Sequence, residues 1–166
     1  AERHAVAELI KLSFLPMITD FDYNELPVYY TLCLYGDCPQ AGQCLRYLLA
    51  QGVPAERTHI QIFSLAAARQ MSEEGKCRNF ASAQKVCFVR GIDSLLKQIR
   101  TLPYDQAVAA KQGLMGCFGT RTYYRVRSGE RLVSPEEQAK IARVLRSQGL
   151  REEPTYDNYI YTYDLR

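Results

Sequence analysis

The stretch from residue 28 to residue 63 constrains the fold of this chain more than any other. Residues 28–35 are an almost unbroken run of Val, Tyr, Thr, Leu and Cys, which predicts a strand buried on both faces. Gly36-Asp37-Cys38-Pro39 makes a turn. Pro39 suits the first turn of a helix, where its missing N–H has no partner to lose. Ala41, Cys44, Leu45, Leu48 and Leu49 follow at the spacing of one apolar helix face. Gly52 stands where helices stop, and residues 59–63 form a second short apolar run. Strand, turn, helix, stop and strand predict a βαβ unit with a right-handed crossover and parallel strands.

The same rhythm continues more loosely. Upstream, residues 3–14 predict a helix closed by Pro16, followed by an irregular connection to residue 27. Residues 65–74 predict a short helix, 76–83 a polar loop and 86–89 a third strand. Gly91 turns the chain into a helix striped by Ile92, Leu95, Leu96 and Ile99 and broken by Pro103; residues 104–112 add one further helical piece. From residue 121 the pattern alternates, Thr122, Tyr124 and Val126 against Arg121, Tyr123, Arg125 and Arg127, the period of a half-buried strand. With Ser128-Gly129-Glu130 as its turn, the span 121–133 reads as a hairpin. Ser134-Pro135-Glu136-Glu137 is a helix start with the ingredients of a capping box. Ile141, Val144 and Leu145 face that helix inward, Gly149 ends it, and residues 156–165 predict a last strand. The expected fold class is α/β and Rossmann-like: a small, mainly parallel or mixed sheet with helices on both faces, ending in an antiparallel hairpin, a helix and a strand. The expected organisation is one domain over residues 1–166, with an N-terminal helix and loop (1–27), βα units (28–112) and a hairpin–helix–strand segment (113–166).

Composition narrows the function classes. With 47% hydrophobic and 23% charged residues, the chain is globular rather than disordered. No apolar run reaches the roughly 18 residues that span a bilayer, so no membrane partner is expected. A net charge of +3 gives little general attraction to nucleic acid. Of the six cysteines, Cys33 and Cys87 sit in strand-like runs and Cys44 on a helix stripe, where free cysteine serves as a small hydrophobe. The cytoplasm or another reducing compartment is therefore expected, with a secreted, disulfide-bonded chain as the alternative. No metal site is expected: Cys33, Cys38 and Cys44 lack the C-x-x-C pairing of structural zinc sites, and Cys38 and Cys44 fall on different faces of one predicted helix.

The turn at Gly36 is the first candidate site. A strand, a glycine at the turn, Gly42 in the helix, the stretch Leu48-Leu49-Ala50-Gln51-Gly52-Val53 and a second strand are all present. Over residues 32–63 this resembles the first βαβ unit of FAD- and NAD(P)-binding domains of the pyridine nucleotide-disulfide oxidoreductase type. The resemblance implies a dinucleotide at Gly36, Asp37 and Gly42. The turn keeps the first glycine of the family's G-x-G-x-x-G, Asp37 would meet a pyrophosphate with like charge, and Phe63-Ser64 replace the acidic residue after the second strand. The unit therefore reads as a degenerate version, and no cofactor is expected. The same turn also resembles the monothiol turn of glutaredoxin-like proteins. That resemblance implies a redox role for Cys38, whose thiolate a helix N-terminus would stabilise; Gln84 and Lys85 stand where that fold has its proline.

Two further surfaces complete the reading. Between residues 119 and 151 there are eight basic residues against three acidic ones. Arg121, Arg125, Arg127 and Arg131 with Tyr123 combine cations and a stacking ring, the ingredients of single-strand nucleic-acid binding. The competing reading is a solvated face whose arginines pair with the acidic C-terminal tail. Asp93 is read as the N-cap of the helix that follows it. Twelve tyrosines and no Trp favour interfaces, since tyrosine buries area while keeping a polar tip. Tyr159, Tyr161 and Tyr163 at strand period form the candidate interface. The leading expectation is a non-catalytic structural subunit acting through a protein partner or self-association. A thiol-redox or dinucleotide enzyme at Gly36–Pro39 is the first alternative, and a nucleic-acid module on the hairpin is the second.

Overall fold

The computed structural model describes residues 18–73, 75 and 77–166; the expected helix at 3–14 lies outside them. The chain divides into two units, Ala1–Gln84 with Tyr163–Arg166, and Lys85–Thr162.

The first unit is held mostly by irregular backbone. A 3-10 turn at Tyr23–Glu25 is capped by Asp22, whose carboxylate accepts from the Asn24 N–H at 2.9 Å. A second 3-10 turn, Ala41–Gln43, leads into helix α1, Leu45–Gln51, and helix α2 is Leu65–Glu73. The stripe expected on the first of these is present: Ala41, Cys44, Leu45, Leu48 and Leu49 are all buried. The flanking strands are not. Tyr30 donates its N–H back to the Pro27 carbonyl, closing a turn that leaves Val28 and Tyr29 80% and 74% exposed. What remains of the parallel pairing is one bridge, Leu32 with Ile62. The Leu32 N–H reaches the Gln61 carbonyl at 2.8 Å and the Phe63 N–H reaches the Leu32 carbonyl at 3.0 Å.

The second unit is regular. Strand β1, Val86–Arg90, is followed by helices α3 (Asp93–Ile99), α4 (Tyr104–Phe118), α5 (Thr120–Arg127) and α6 (Pro135–Ser147), and by strand β2, Asn158–Thr162. β1 and β2 pair antiparallel, from Val86 with Thr162 to Arg90 with Asn158, and Val89 also bridges Val133 antiparallel. The class is thus mixed α/β. The mainly parallel sheet is corrected to an antiparallel pair, because residues 28–35 and 59–63 contribute only a bridge and the third predicted strand pairs with the last.

The predicted hairpin over 121–133 is also corrected. Gly119, at φ +75°, ends α4, and the chain re-enters a helix at Thr120. Tyr123 and Val126, 1% and 0% exposed, are three residues apart and share one helical face. They join Val89, Ile92, Leu95, Leu114, Ile141 and Leu145 in the core of this unit. The capping box of α6 is complete: Ser134 Oγ accepts from the Glu137 N–H, and the Glu137 carboxylate accepts from the Ser134 N–H at 3.0 Å. Among the described residues no helix is long and apolar enough to cross a membrane.

Candidate functional site

The Gly36 turn lies against the Tyr47 side chain: a Cβ added at Gly36 would stand 3.2 Å from the Tyr47 hydroxyl. Gly36 and Asp37 are exposed, while Gly42 lines a separate groove with Asp20, Gln43 and Tyr163. The three residues implied in dinucleotide binding are not brought together.

What the turn borders instead is a small apolar cavity of about 20 Å³, enough for one water-sized species. Four cysteines line it: Cys33, Cys38, Cys44 and Cys77. Cys38 and Cys44 do not sit on different faces of one helix, as their spacing suggests. Helix α1 begins only at Leu45, and the 3-10 turn before it folds both side chains toward the same space. Cys77 arrives from the loop after α2. Arg46 completes the wall. It donates to the Thr31 carbonyl at 2.6 Å and lies 4.4 Å from the centre of the Tyr30 ring. Its Nε, also buried, has no hydrogen-bond partner among the described residues. Burial pushes the Tyr30 hydroxyl up to about 12, against the pull of Arg46. Burial also raises the Cys33 thiol; the Tyr35 backbone N–H opposes this, and the thiols of Cys44, Cys38 and Cys77 add to it. All six cysteines are free thiols. The other two, Cys87 and Cys117, belong to the second unit, where both pack against its core.

The arginines singled out in the sequence are placed on and after α5, a helix rather than a strand. Arg125 lies 3.7 Å from Glu130, Arg127 3.7 Å from Asp93, and Arg131 donates to Glu137 at 2.7 Å. Arg121 is exposed. Tyr123, the intended stacking ring, is buried in the core. Cations and stacking ring are therefore not presented together, and these three arginines pair with Glu130, Asp93 and Glu137 rather than with the tail. Asp93 itself is the first residue of α3, not its cap.

The tyrosines separate as well. Tyr163 lies past the end of β2, in the first unit, where it bonds Asp20 and packs edge-on against Phe21. Tyr159 and Tyr161 remain on β2, 53% and 70% exposed. Their rungs are Val89 and Cys87, and directly opposed residues share a face of the sheet. That is the face Val89 buries in the core. Beside it runs a groove of about 550 Å³ between α6 and β2, lined by Ala139, Ala142, Arg143, Tyr156 and Tyr159 among others.

Fold and site thus define a mixed α/β protein with a cysteine-lined cavity in one unit and an uncovered aromatic sheet edge in the other. The chain belongs to the DUF6078 family, a family of unknown function, whose model matches residues 17–165. No curated protein and no solved structure gives a significant match.

Proposed function

We propose that this chain acts through protein–protein contact, with β2 as the docking strand for an extended segment of a partner protein. The observation that carries this reading is the position of Tyr159 and Tyr161: they continue the core face of the β1–β2 sheet and yet are more than half exposed. Two tyrosines on the core side of an edge strand, next to a groove of ligand-binding size, make a hydrophobic layer that lacks its last element. Among the described residues no further strand pairs with β2, so its outer N–H and C=O groups are available to an added strand, a common mode of peptide recognition. Tyrosine gives such an interface buried area with a polar tip. Arg143 on the groove wall favours acidic side chains in the partner. The six free thiols support a reducing compartment.

The test uses a photo-crosslinking amino acid at position 161 in the full chain. Reproducible crosslinks to one protein, lost when Tyr159→Ala is added, are the expected result. The Tyr159→Ala, Tyr161→Ala double variant should stay folded, at a cost of about 0.5–1.5 kcal/mol for the hydrogen bond that the Tyr156 N–H donates to the Tyr159 hydroxyl. Unfolding of that variant, or crosslinks scattered among abundant proteins, would overturn the reading.

A further inference from the structure

We propose that the first unit holds one thiophilic divalent metal ion, zinc by the chemistry of its donors, in a structural site made by Cys33, Cys38, Cys44 and Cys77. This inference is independent of the docking strand.

Convergence is the first argument. Four of the six cysteines, carried by three separate segments, line one cavity, and the backbone around them is stitched together. The Cys33 N–H bonds the Arg46 carbonyl at 3.2 Å, and the Leu45 N–H bonds the Ala81 carbonyl at 2.7 Å. The Ala41 N–H closes on the Cys38 carbonyl at 2.9 Å and the Phe80 N–H on the Cys77 carbonyl at 3.1 Å. The gaps between Cys33, Cys38 and Cys44 exceed those of a C-x-x-C knuckle, but the 3-10 turn Ala41–Gln43 shortens the second one in space.

Size and charge select the ligand. The small cavity has room for a single ion. Four soft thiolates in a closed site are a zinc donor set. Binding releases four thiol protons to solvent and forms four metal–sulfur bonds, leaving a net charge of −2 on the centre. Arg46, a wall residue with an unpartnered Nε, supplies compensating positive charge.

The fold supplies the need. Among its described residues the first unit has no β-ladder, two short helices and two small buried clusters of five and four residues. Small units with little core are commonly stabilised by a metal, disulfides or oligomerisation, and in small metal-bound domains the binding energy is folding energy. As the thiols stand, no three His, Cys, Asp or Glu side chains among the described residues are arranged to hold a metal. Each cysteine has a single torsion with three staggered positions, and closure onto an ion requires the four thiols to rotate toward one another.

The test measures metal on the full-length protein, purified under reducing conditions from zinc-supplemented cells. One equivalent of zinc is expected. Replacement by Co²⁺ should give the visible bands of a tetrahedral ion and thiolate-to-cobalt charge transfer. Cys77→Ser should abolish both, while Cys87→Ser and Cys117→Ser should keep them. Because a variant deprived of a structural metal also loses its fold, the wild type supplies a second measurement. In it, four thiols should become reactive to a colorimetric thiol reagent on chelation and be protected again by added zinc. Protein that binds no zinc, iron with acid-labile sulfide, a Co²⁺ spectrum without thiolate bands, or an intact mass showing disulfides among these four cysteines would each overturn the proposal.

Discussion

Asp157 holds the start of α3 from a distant part of the chain. Its carboxylate accepts from the N–H groups of Asp93 at 3.0 Å and Ser94 at 2.7 Å, across 64 and 63 residues of sequence. Two of the four free donors at that helix start are satisfied in this way. Burial alone would raise this carboxyl; the Ser94 hydroxyl and N–H, and the Asp93 N–H, outweigh it and hold it below its ordinary 3.8. Gly91 makes the approach possible: its φ is +75°, and a Cβ there would collide with the Asp157 carboxylate. Asp157→Ala should therefore cost about 1 kcal/mol, the usual price of a lost N-cap, and lower the melting temperature by about 4–8 °C if the second unit melts by itself. A carboxylate with a depressed folded value stabilises above its unfolded value and stops doing so as pH falls through the folded one. The gap between wild type and variant should thus be full at neutral pH and close below about pH 4. Thermal melts across that range check it, and a constant gap would remove the charge from the explanation. Within reach of its own sequence, capping is legible: Ser134 and Glu137, three positions apart, form the box their order predicts. Asp157 was not, since nothing near residue 93 names a partner so far along the chain.

Helix α4 carries two interior glycines in different settings. A Cβ at Gly113 would meet Val144 Cγ1 of α6 at 2.6 Å, whereas one at Gly116 would meet nothing within 4 Å. Glycine costs a helix interior up to about 1 kcal/mol relative to alanine, so Gly116→Ala should stabilise the protein by about 0.5–1 kcal/mol. Gly113→Leu should instead force α4 and α6 apart and destabilise by about 1–3 kcal/mol, as overpacking does. Chemical denaturation of the two variants separates these effects; a stabilised Gly113→Leu would refute close packing of the helices. Long stripes are the part of this fold that sequence reveals: the α1 face, the α3 face and α6 all come out where hydrophobic spacing puts them. The α5 segment does not. Its alternating residues fit a strand, while Tyr123 and Val126 fit a helix equally well, and only the core they enter decides. Residues 28–35 depart from their pattern for the opposite reason, because β-prone side chains do not make a strand when a turn at Pro27–Tyr30 takes their first hydrogen bond. Of the cysteine cavity, the three residues 33, 38 and 44 stand out in sequence; Cys77 and Arg46 join them only through folding.

The core of the second unit draws on β1 and four helices, all inside Lys85–Thr162. A chain cut to residues 85–162 should therefore fold by itself. Hydrogen exchange should show protection on β1, β2 and α6 matching that of the full protein, and an unfolded fragment would contradict this. The unit leaves no compositional mark at its limits. Its limits are nevertheless written in the ladder, where Val86 faces Thr162. Paired residues on neighbouring strands lie about 5 Å apart, so the polypeptide departs at nearly the point where it returned. A whole module can be excised from such a seam, or another spliced into it, with only a short linker to rejoin the cut.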